Sequence, residues 1–360
     1  MTKNDILKKI KDDETIATCS ICNIDLSEID FSGVRFENVT FEEVDFSKSN
    51  INNTGFKGCS FKKCSFDEVD FKQLFWQKLT LLECSFKNAN LTLCKFIGVK
   101  FIGCDFSKAD LTQAAIIKST LDESKFQKTT FFKTTFANGS LCNAIFENCD
   151  LVKSTFFKVD MNGVKFVKTN LTKVVLMECE LQEQDFSKAT LHMVQFNKTN
   201  LTKSCFDGAD MFLSNFFEAN LESASFISAQ ANNTIFMKAS LKNADFTDAT
   251  LYQANFAEAD LDETNFKNAN LQQTYFESAT CKSVLFNDAD ASYANFNYVE
   301  FDSCAMRATN FTYASMHQAS FKDCSLDEAK CFGLKKTDTD LLEAQSWQIP
   351  QSIFKEKKND

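Results

Sequence analysis

AEADLDETNFKNANLQQTYF, residues 257–276, decides how the rest of the chain is read. Taken in fives, it places Leu261, Phe266, Leu271 and Phe276 at one position, the centre, and Ala259, Thr264, Ala269 and Thr274 two residues before each. The same frame runs from Ile21 to Cys331 with no insertion or deletion, which makes 63 centres. A short repeat kept in phase over such a length settles the architecture before any other feature does.

A chain of 360 residues would ordinarily suggest two domains, but one repeat fills 311 of these positions, so a single repeat domain is expected. Pro350 is the only proline and there are nine glycines, so no flexible linker divides residues 21–331. Of the 40 Phe, 33 stand at centres, as a core repeated along the chain would require.

A period of five is neither the 3.6 of a helix nor the 2 of a flat strand. In extended backbone the small residue and the centre two positions later point the same way. The next inward residue comes three positions on instead of two, so the chain must turn a corner once per repeat. Corners of one sense make a coil, and stacked coils make a solenoid whose backbone groups pair with the coils on either side. From Leu141 to Phe296 Phe alternates with Leu, Met, Ala or Cys at successive centres, Leu176 excepted. Four sides, hence a 20-residue coil, would stack Phe on Phe and Leu on Leu.

The triplets Ala89-Asn90-Leu91, Ala109-Asp110-Leu111, Ala219-Asn220-Leu221, Ala259-Asp260-Leu261 and Ala269-Asn270-Leu271 resemble the pentapeptide repeat protein family over about five-sixths of the chain. The resemblance implies an all-β fold, a right-handed quadrilateral β-helix with short helical caps. With ~4.8 Å between stacked strands, such a rod would be roughly 75 Å long. It also implies two kinds of behaviour known in the family: pairing through C-terminal ends, and imitation of duplex DNA by members that bind type II topoisomerases.

The expected organisation is an N-terminal helical cap over residues 1–18, the solenoid over 19–332, and a C-terminal helical cap or tail over 333–360. At the start, Thr2 is placed to cap a helix whose Ile6, Leu7 and Ile10 would cover the first coil. At the end, Gly333 breaks the frame, Thr337 and Asp340 suggest a loose capping box, and Leu341, Leu342 and Ala344 follow. Trp347, Ile349 and Phe354 around Pro350 would complete a lid, ahead of a basic end at Lys355–Lys358. The charged N-terminal twenty residues have no signal-peptide or membrane-spanning run, which points to the cytoplasm and away from a membrane.

Nothing in the chain reads as catalytic. His192 and His317 each follow a centre and are expected to be outward and solvated. Ten of the fifteen Cys occupy the small position before a centre, where Cys replaces Ala, Val, Thr or Ser as a small buried hydrophobe. Cys19 and Cys22 have no second CxxC to complete a zinc site. Cys64, Cys84 and Cys104, at 20-residue spacing, should stack as packing residues inside the rod. Neither a cofactor nor a metal is expected, and a filled interior without loop insertions should leave no cleft.

Function is therefore expected on the outside. In rows of 20, most outward columns are polar, but Ile97, Ile117, Ala137, Phe157, Met177, Asn197, Phe217, Met237 and Ala257 form one column, with Val175, Ile235 and Tyr275 beside it. The candidate interface is Ile97, Ile117, Phe157, Val175, Met177, Phe217, Ile235 and Met237, with Phe132, Val152, Phe212 and Tyr252 on the adjacent side. Charge is uneven too: residues 204–302 carry 15 acidic and 4 basic side chains, residues 111–203 carry 9 and 12. Glu222, Asp260, Asp262, Glu263, Glu300 and Asp302 fall on one side, interrupted by Lys242 and Lys282. A negative rod repels nucleic acid, so direct binding is not expected. The reading is a non-catalytic scaffold that docks a protein partner or a second copy through the apolar stripe. The alternative is a DNA-mimicking regulator of a type II topoisomerase (gyrase) acting through the acidic segment.

Overall fold

A computed structural model describes residues 1–346, and the chain is a parallel β-solenoid of about 15 turns with a short helix at each end. Every ladder pair joins residues twenty apart: Phe36 lies over Ile16, Phe41 over Ile21, Phe126 over Phe106's coil through Asp105↔Lys125, and Asp110 over Asn90. The coil therefore has four sides. Side I carries centres Ile16 to Met316, side II Ile21 to Phe321, side III Leu26 to Leu326, and side IV Phe31 to Cys331.

The corner expected once per repeat is a single left-handed residue two places after each centre, with φ of 51° at Thr18, 57° at Asn268 and 59° at Ser278. Seven of the nine glycines stand at such corners. From residue 23 to 333 no corner holds a β-branched residue, because a branched Cβ is the side chain least compatible with positive φ. Ser278→Val is therefore expected to cost about 1–2 kcal/mol, while Ser278→Asn, which tolerates that backbone, stays near wild type in urea unfolding.

The other repeat positions have equally local reasons. The Asp or Asn before a centre accepts the backbone N–H two residues on, as Asp25 Oδ1 does from Ser27 (2.8 Å) and Asp245 Oδ1 from Thr247 (2.8 Å). It also makes rungs between coils, with Asn90 Nδ2 donating to Asp70 Oδ1 at 2.8 Å. In the small inward slot, most Ser and Thr hydroxyls donate to a centre carbonyl of the preceding coil, as Thr129 to Phe106 O, Thr264 to Leu241 O and Thr309 to Phe286 O, while Ser119, Ser154 and Thr274 donate to a carbonyl of their own coil. Each buried hydroxyl is thus satisfied, which is why Ser and Thr exchange with Ala there.

Inside, Phe stacks on Phe. On side I, Phe196 to Phe296 form a ladder with ring centroids 4.8, 5.1, 4.9, 5.1 and 4.7 Å apart. Side III has the matching ladder, and the two meet edge-to-face across the core, as at Phe236–Phe246 (5.5 Å, 84°).

Two interruptions break the ladders. Asn50–Lys57 do not pair with Asp70–Gln77 on sides IV and I, where Trp76 takes a centre and meets Phe56 edge-on at 89° instead of stacking. A second gap separates residues 165–170 from 185–190. It opens a cleft of about 460 Å³ between Phe166–Leu171 and Asp185–Thr190, correcting the expectation that a rod without insertions has none.

At the N-terminus α1 spans Lys3–Lys11, with a capping box between Thr2 and Asp5. Ile6 is fully buried and Ile10 packs partly on the core, but Leu7 is exposed, since one residue on from Ile6 is 100° round the helix. At the other end α2 spans Thr339–Ser346. Its cap is Asp338, whose Oδ1 accepts from Asp340 and Leu341 N–H (3.0 Å each). Thr337 does not cap it: its hydroxyl is taken by Gln318 N–H. Leu341 and Leu342 are both exposed. In the last coil the centres Phe321 and Leu326 are exposed at 42% and 41% among the described residues. Trp347, Ile349, Pro350, Phe354 and Lys355–Lys358 lie outside the described residues. Among the described residues no helix is long and apolar enough to cross a membrane.

Candidate protein-docking surface

The fold brings the expected stripe together on side I. Ile97, Ile117, Ala137, Phe157 and Met177 stand in direct register on neighbouring strands. Phe217 and Met237 continue the column after Asn197. Val175 and Ile235 lie in the column on the other side of the centres, but Gln195 and Asn215 separate them, so they do not touch as one strip. All eight candidates face outward. Seven are half-buried because each leans on its ladder neighbour, and Ile235 is the exposed one at 37%. Phe157 carries the Lys158 ammonium 5.2 Å from its ring centroid.

The corner between sides IV and I adds residues that the column reading passed over. Leu93, Met193, Leu213, Tyr293 and Tyr313 occupy the left-handed corner position at multiples of 20 and are exposed, Leu213 at 43% and Tyr293 at 58%. A corner residue projects away from both sides it joins, so an apolar side chain there has fewer neighbours than one within a ladder. Their common spacing was the available signal. Phe212, also exposed, precedes Leu213, so Met193, Phe212 and Leu213 group at this corner, with the Gln195–Asn215–Ile235 column lying between them and Phe217 and Met237. Phe132, Val152 and Tyr252 on side IV are half-buried.

Along the far edge of the stripe runs an alternating charge ladder: Lys158–Glu178 (3.2 Å), Lys198–Glu218 (3.2 Å) and Lys238–Glu258 (3.4 Å). The rim is polar yet self-neutralised. On side IV His192 Nε2 sits 2.7 Å from Asp210 Oδ2, half-buried at the surface.

His317 corrects the sequence reading. It points out from the coil but is only 3% exposed, because the segment leading into α2 folds across it. Nδ1 accepts Asp338 N–H at 3.0 Å, Nε2 is 3.3 Å from Gln345 Oε1, and Gln345 Nε2 donates to Tyr298 Oη at 2.6 Å. The ring is thus the anchor that holds α2 against side I.

The acidic candidates all lie on side II. Glu222, Glu263 and Glu300 are exposed, and Asp260, Asp262 and Asp302 half-buried. Two are answered by lysines on adjoining coils, Asp260 by Lys242 (3.1 Å) and Asp302 by Lys322 (2.9 Å). The Lys322 and Ser303 hydrogen bonds hold the Asp302 carboxyl below its ordinary range. Asp262 Oδ1 accepts Lys282 N–H.

All fifteen cysteines are free thiols. Burial pushes Cys59 up to about 11 and Cys94 and Cys179 up to about 12; Cys84, hydrogen-bonded to Cys104 and buried, is likewise pushed up to about 12. Those thiols stay protonated, whereas nucleophilic and metal-binding sulfur is thiolate. Among the described residues no cluster of three His, Cys, Asp or Glu side chains is placed to hold a metal ion.

Two family models match the chain: "Pentapeptide repeats (8 copies)" over residues 24–62, 64–101, 94–131, 214–253, 244–280 and 285–327, and "Pentapeptide repeat region" over 140–211. Among solved structures, the chain is similar to HetL, a pentapeptide repeat protein involved in heterocyst differentiation regulation in the cyanobacterium Nostoc sp. strain PCC 7120. Identity is 22% over 76% of this chain and 91% of HetL, with a TM-score of 0.28. It is also similar to QnrB1, a plasmid-mediated fluoroquinolone resistance protein, at 19% identity over 65% of this chain and 97% of QnrB1, TM-score 0.25. A pentapeptide repeat protein of the Arabidopsis thaliana thylakoid lumen is 28% identical over 33% of this chain and 66% of its own, TM-score 0.16. No curated protein matches the chain.

Proposed function

The chain belongs to the pentapeptide repeat family, and from that premise we propose that it is a non-catalytic scaffold that docks protein on the apolar surface of side I and its corner with side IV. The observation that carries the reading is the side I column of Ile97, Ile117, Ala137, Phe157 and Met177, in direct register on neighbouring strands. Isolated exposed apolar residues are ordinary on soluble proteins, and a bordered, contiguous patch is what interfaces use. The Lys–Glu ladder supplies a polar rim with no net charge of its own. Burial of such a surface responds little to salt.

The first occupant to test is a second copy. Light scattering of the purified protein at low and high salt should show a dimer at both, and Phe157→Asp/Phe217→Asp should be monomeric with an unchanged circular dichroism spectrum. A wild-type monomer in both salts, or a dimer that survives the double substitution, would refute self-association through this surface.

The acidic side supports a second reading, regulation of a type II topoisomerase by imitation of DNA. Six acidic candidates on one side favour it, and the pairing of Asp260 and Asp302 with lysines weakens it. A supercoiling assay decides: a mimic should alter gyrase activity with a steep loss as salt rises, and Glu222→Lys/Glu263→Lys should abolish the effect.

A further inference from the structure

We propose that the coil containing Gln184 is a built-in joint, at which the rod bends about sides I and II and so sets the curvature of side I. The joint stands independently of the docking reading.

Pairing shows where the coils part. On side III, Ile145 pairs with Lys165 and Asp185 with Cys205, but nothing joins Lys165 to Asp185. On side IV, Asp150 pairs with Asn170 and Thr190 with Asp210, and nothing joins Asn170 to Thr190. Sides I and II stay closed through Val175↔Gln195 and Asp160↔Glu180↔Asn200. The gap is therefore a wedge, open on two adjacent sides and hinged on the other two.

Backbone groups confirm its extent. One coil further on, Phe186 N–H donates to Cys205 O (2.7 Å), Lys188 to Asp207 O (2.9 Å) and Leu191 to Asp210 O (2.7 Å). The equivalent N–H groups of Phe166, Lys168 and Leu171 have no backbone acceptor across the gap, nor do those of Asp185 and Thr190. The Phe ladder widens at the same place. Phe166 and Phe186 are 6.0 Å apart, against 5.4 Å for Phe146–Phe166 and 5.2 Å for Phe186–Phe206. Phe166 is half-buried, while its ladder neighbours are buried.

The cause is a side chain too long for its place. Gln184 occupies the small inward slot of side III, where every other occupant from Val44 to Cys324 is Val, Cys, Ser, Ala or Thr. Its amide is buried, and Nε2 reaches only Gln182 O at 3.5 Å. Closing the wedge would restore the backbone hydrogen bonds missing at Phe166, Lys168, Leu171, Asp185 and Thr190 but press a long polar side chain, whose Nε2 has one 3.5 Å hydrogen bond, into a slot built for small residues. Because the wedge opens on sides III and IV, the axis bends toward sides I and II. The surface from Phe157 to Met237 lies on the inner side of that bend and straddles it.

Hydrogen–deuterium exchange of the full chain, read by mass spectrometry, tests the joint. Peptides covering residues 165–171 and 185–190 should exchange at least about tenfold faster than those covering 205–211 and 225–231. In Gln184→Ala they should slow by about tenfold, with residues 174–181 unchanged, and small-angle scattering should show a longer, straighter rod. Gln184→Ser, the residue that position 204 already holds, is the second variant should the alanine protein fold poorly. Wild-type peptides as protected as their neighbours would overturn the joint. Fast exchange that neither substitution slows would overturn the assignment to Gln184.

Discussion

Phe246→Ala is expected to lower the free energy of unfolding by about 3–5 kcal/mol, the usual cost of emptying a fully packed aromatic site. Phe246 lies between Phe226 (4.4 Å) and Phe266 (5.1 Å) in the side III ladder and meets Phe236 and Phe256 edge-to-face. Its replacement leaves a hole in the middle of two ladders. The surrounding coils cannot collapse into it, because their spacing is fixed by backbone pairing on all four sides there. Phe332→Ala is the control: that ring is 72% exposed, and its loss should change stability by less than about 0.5 kcal/mol. Urea unfolding of both variants is the measurement. In a repeat array the transition can lose its all-or-none character, so coincidence of fluorescence and circular dichroism should be checked first. A Phe246→Ala protein within 1 kcal/mol of wild type, by the same scale, would mean that the ladder is not what holds the coils together.

Gly139→Ala is the second expectation, and its sign opposes the repeat pattern. Gly139 sits in the small inward slot that elsewhere takes mostly Ala, Cys, Val, Ser or Thr, so by pattern alone alanine should stabilise by about 0.4–1 kcal/mol through a less flexible unfolded chain. In the structure a Cβ at this position would clash with Ser119 O and crowd Ser119 C and N at 3.3 Å. Those are backbone atoms of a paired coil, with Ser140 N–H donating to that same oxygen, and they cannot move without opening the ladder. Destabilisation of about 1–3 kcal/mol is expected, read as a fall in the melting temperature. A rise in melting temperature would show that the coil relaxes at no cost and that the pattern predicts better than the local geometry.

Much of the surface was readable from rows of twenty. The side I column and the acidic side II both emerge from register alone, because the coil length is fixed. What rows could not give is degree of exposure. Met177 and Phe157 look as free as Tyr293 on paper, yet they are half-buried by stacking in a ladder, while a left-handed corner leaves Tyr293 more than half exposed. His317 is the plainest case. Its place after a centre points it outward, and only the return of residues 337–345 over side I buries it.

The five-residue corner, the four sides, the Phe ladders and the residues that share a column were all legible in the repeat. These follow from interactions within one repeat or between neighbours twenty apart, and a strict period transmits them along the whole rod. Where that regularity fails came from three-dimensional packing: the wedge at Gln184, the interruption at Trp76 and the tight slot at Gly139. A pattern records which residue types are allowed at a position, whereas the fit of one side chain is settled by atoms of the adjoining coil, through differences of a few tenths of an ångström that no period encodes.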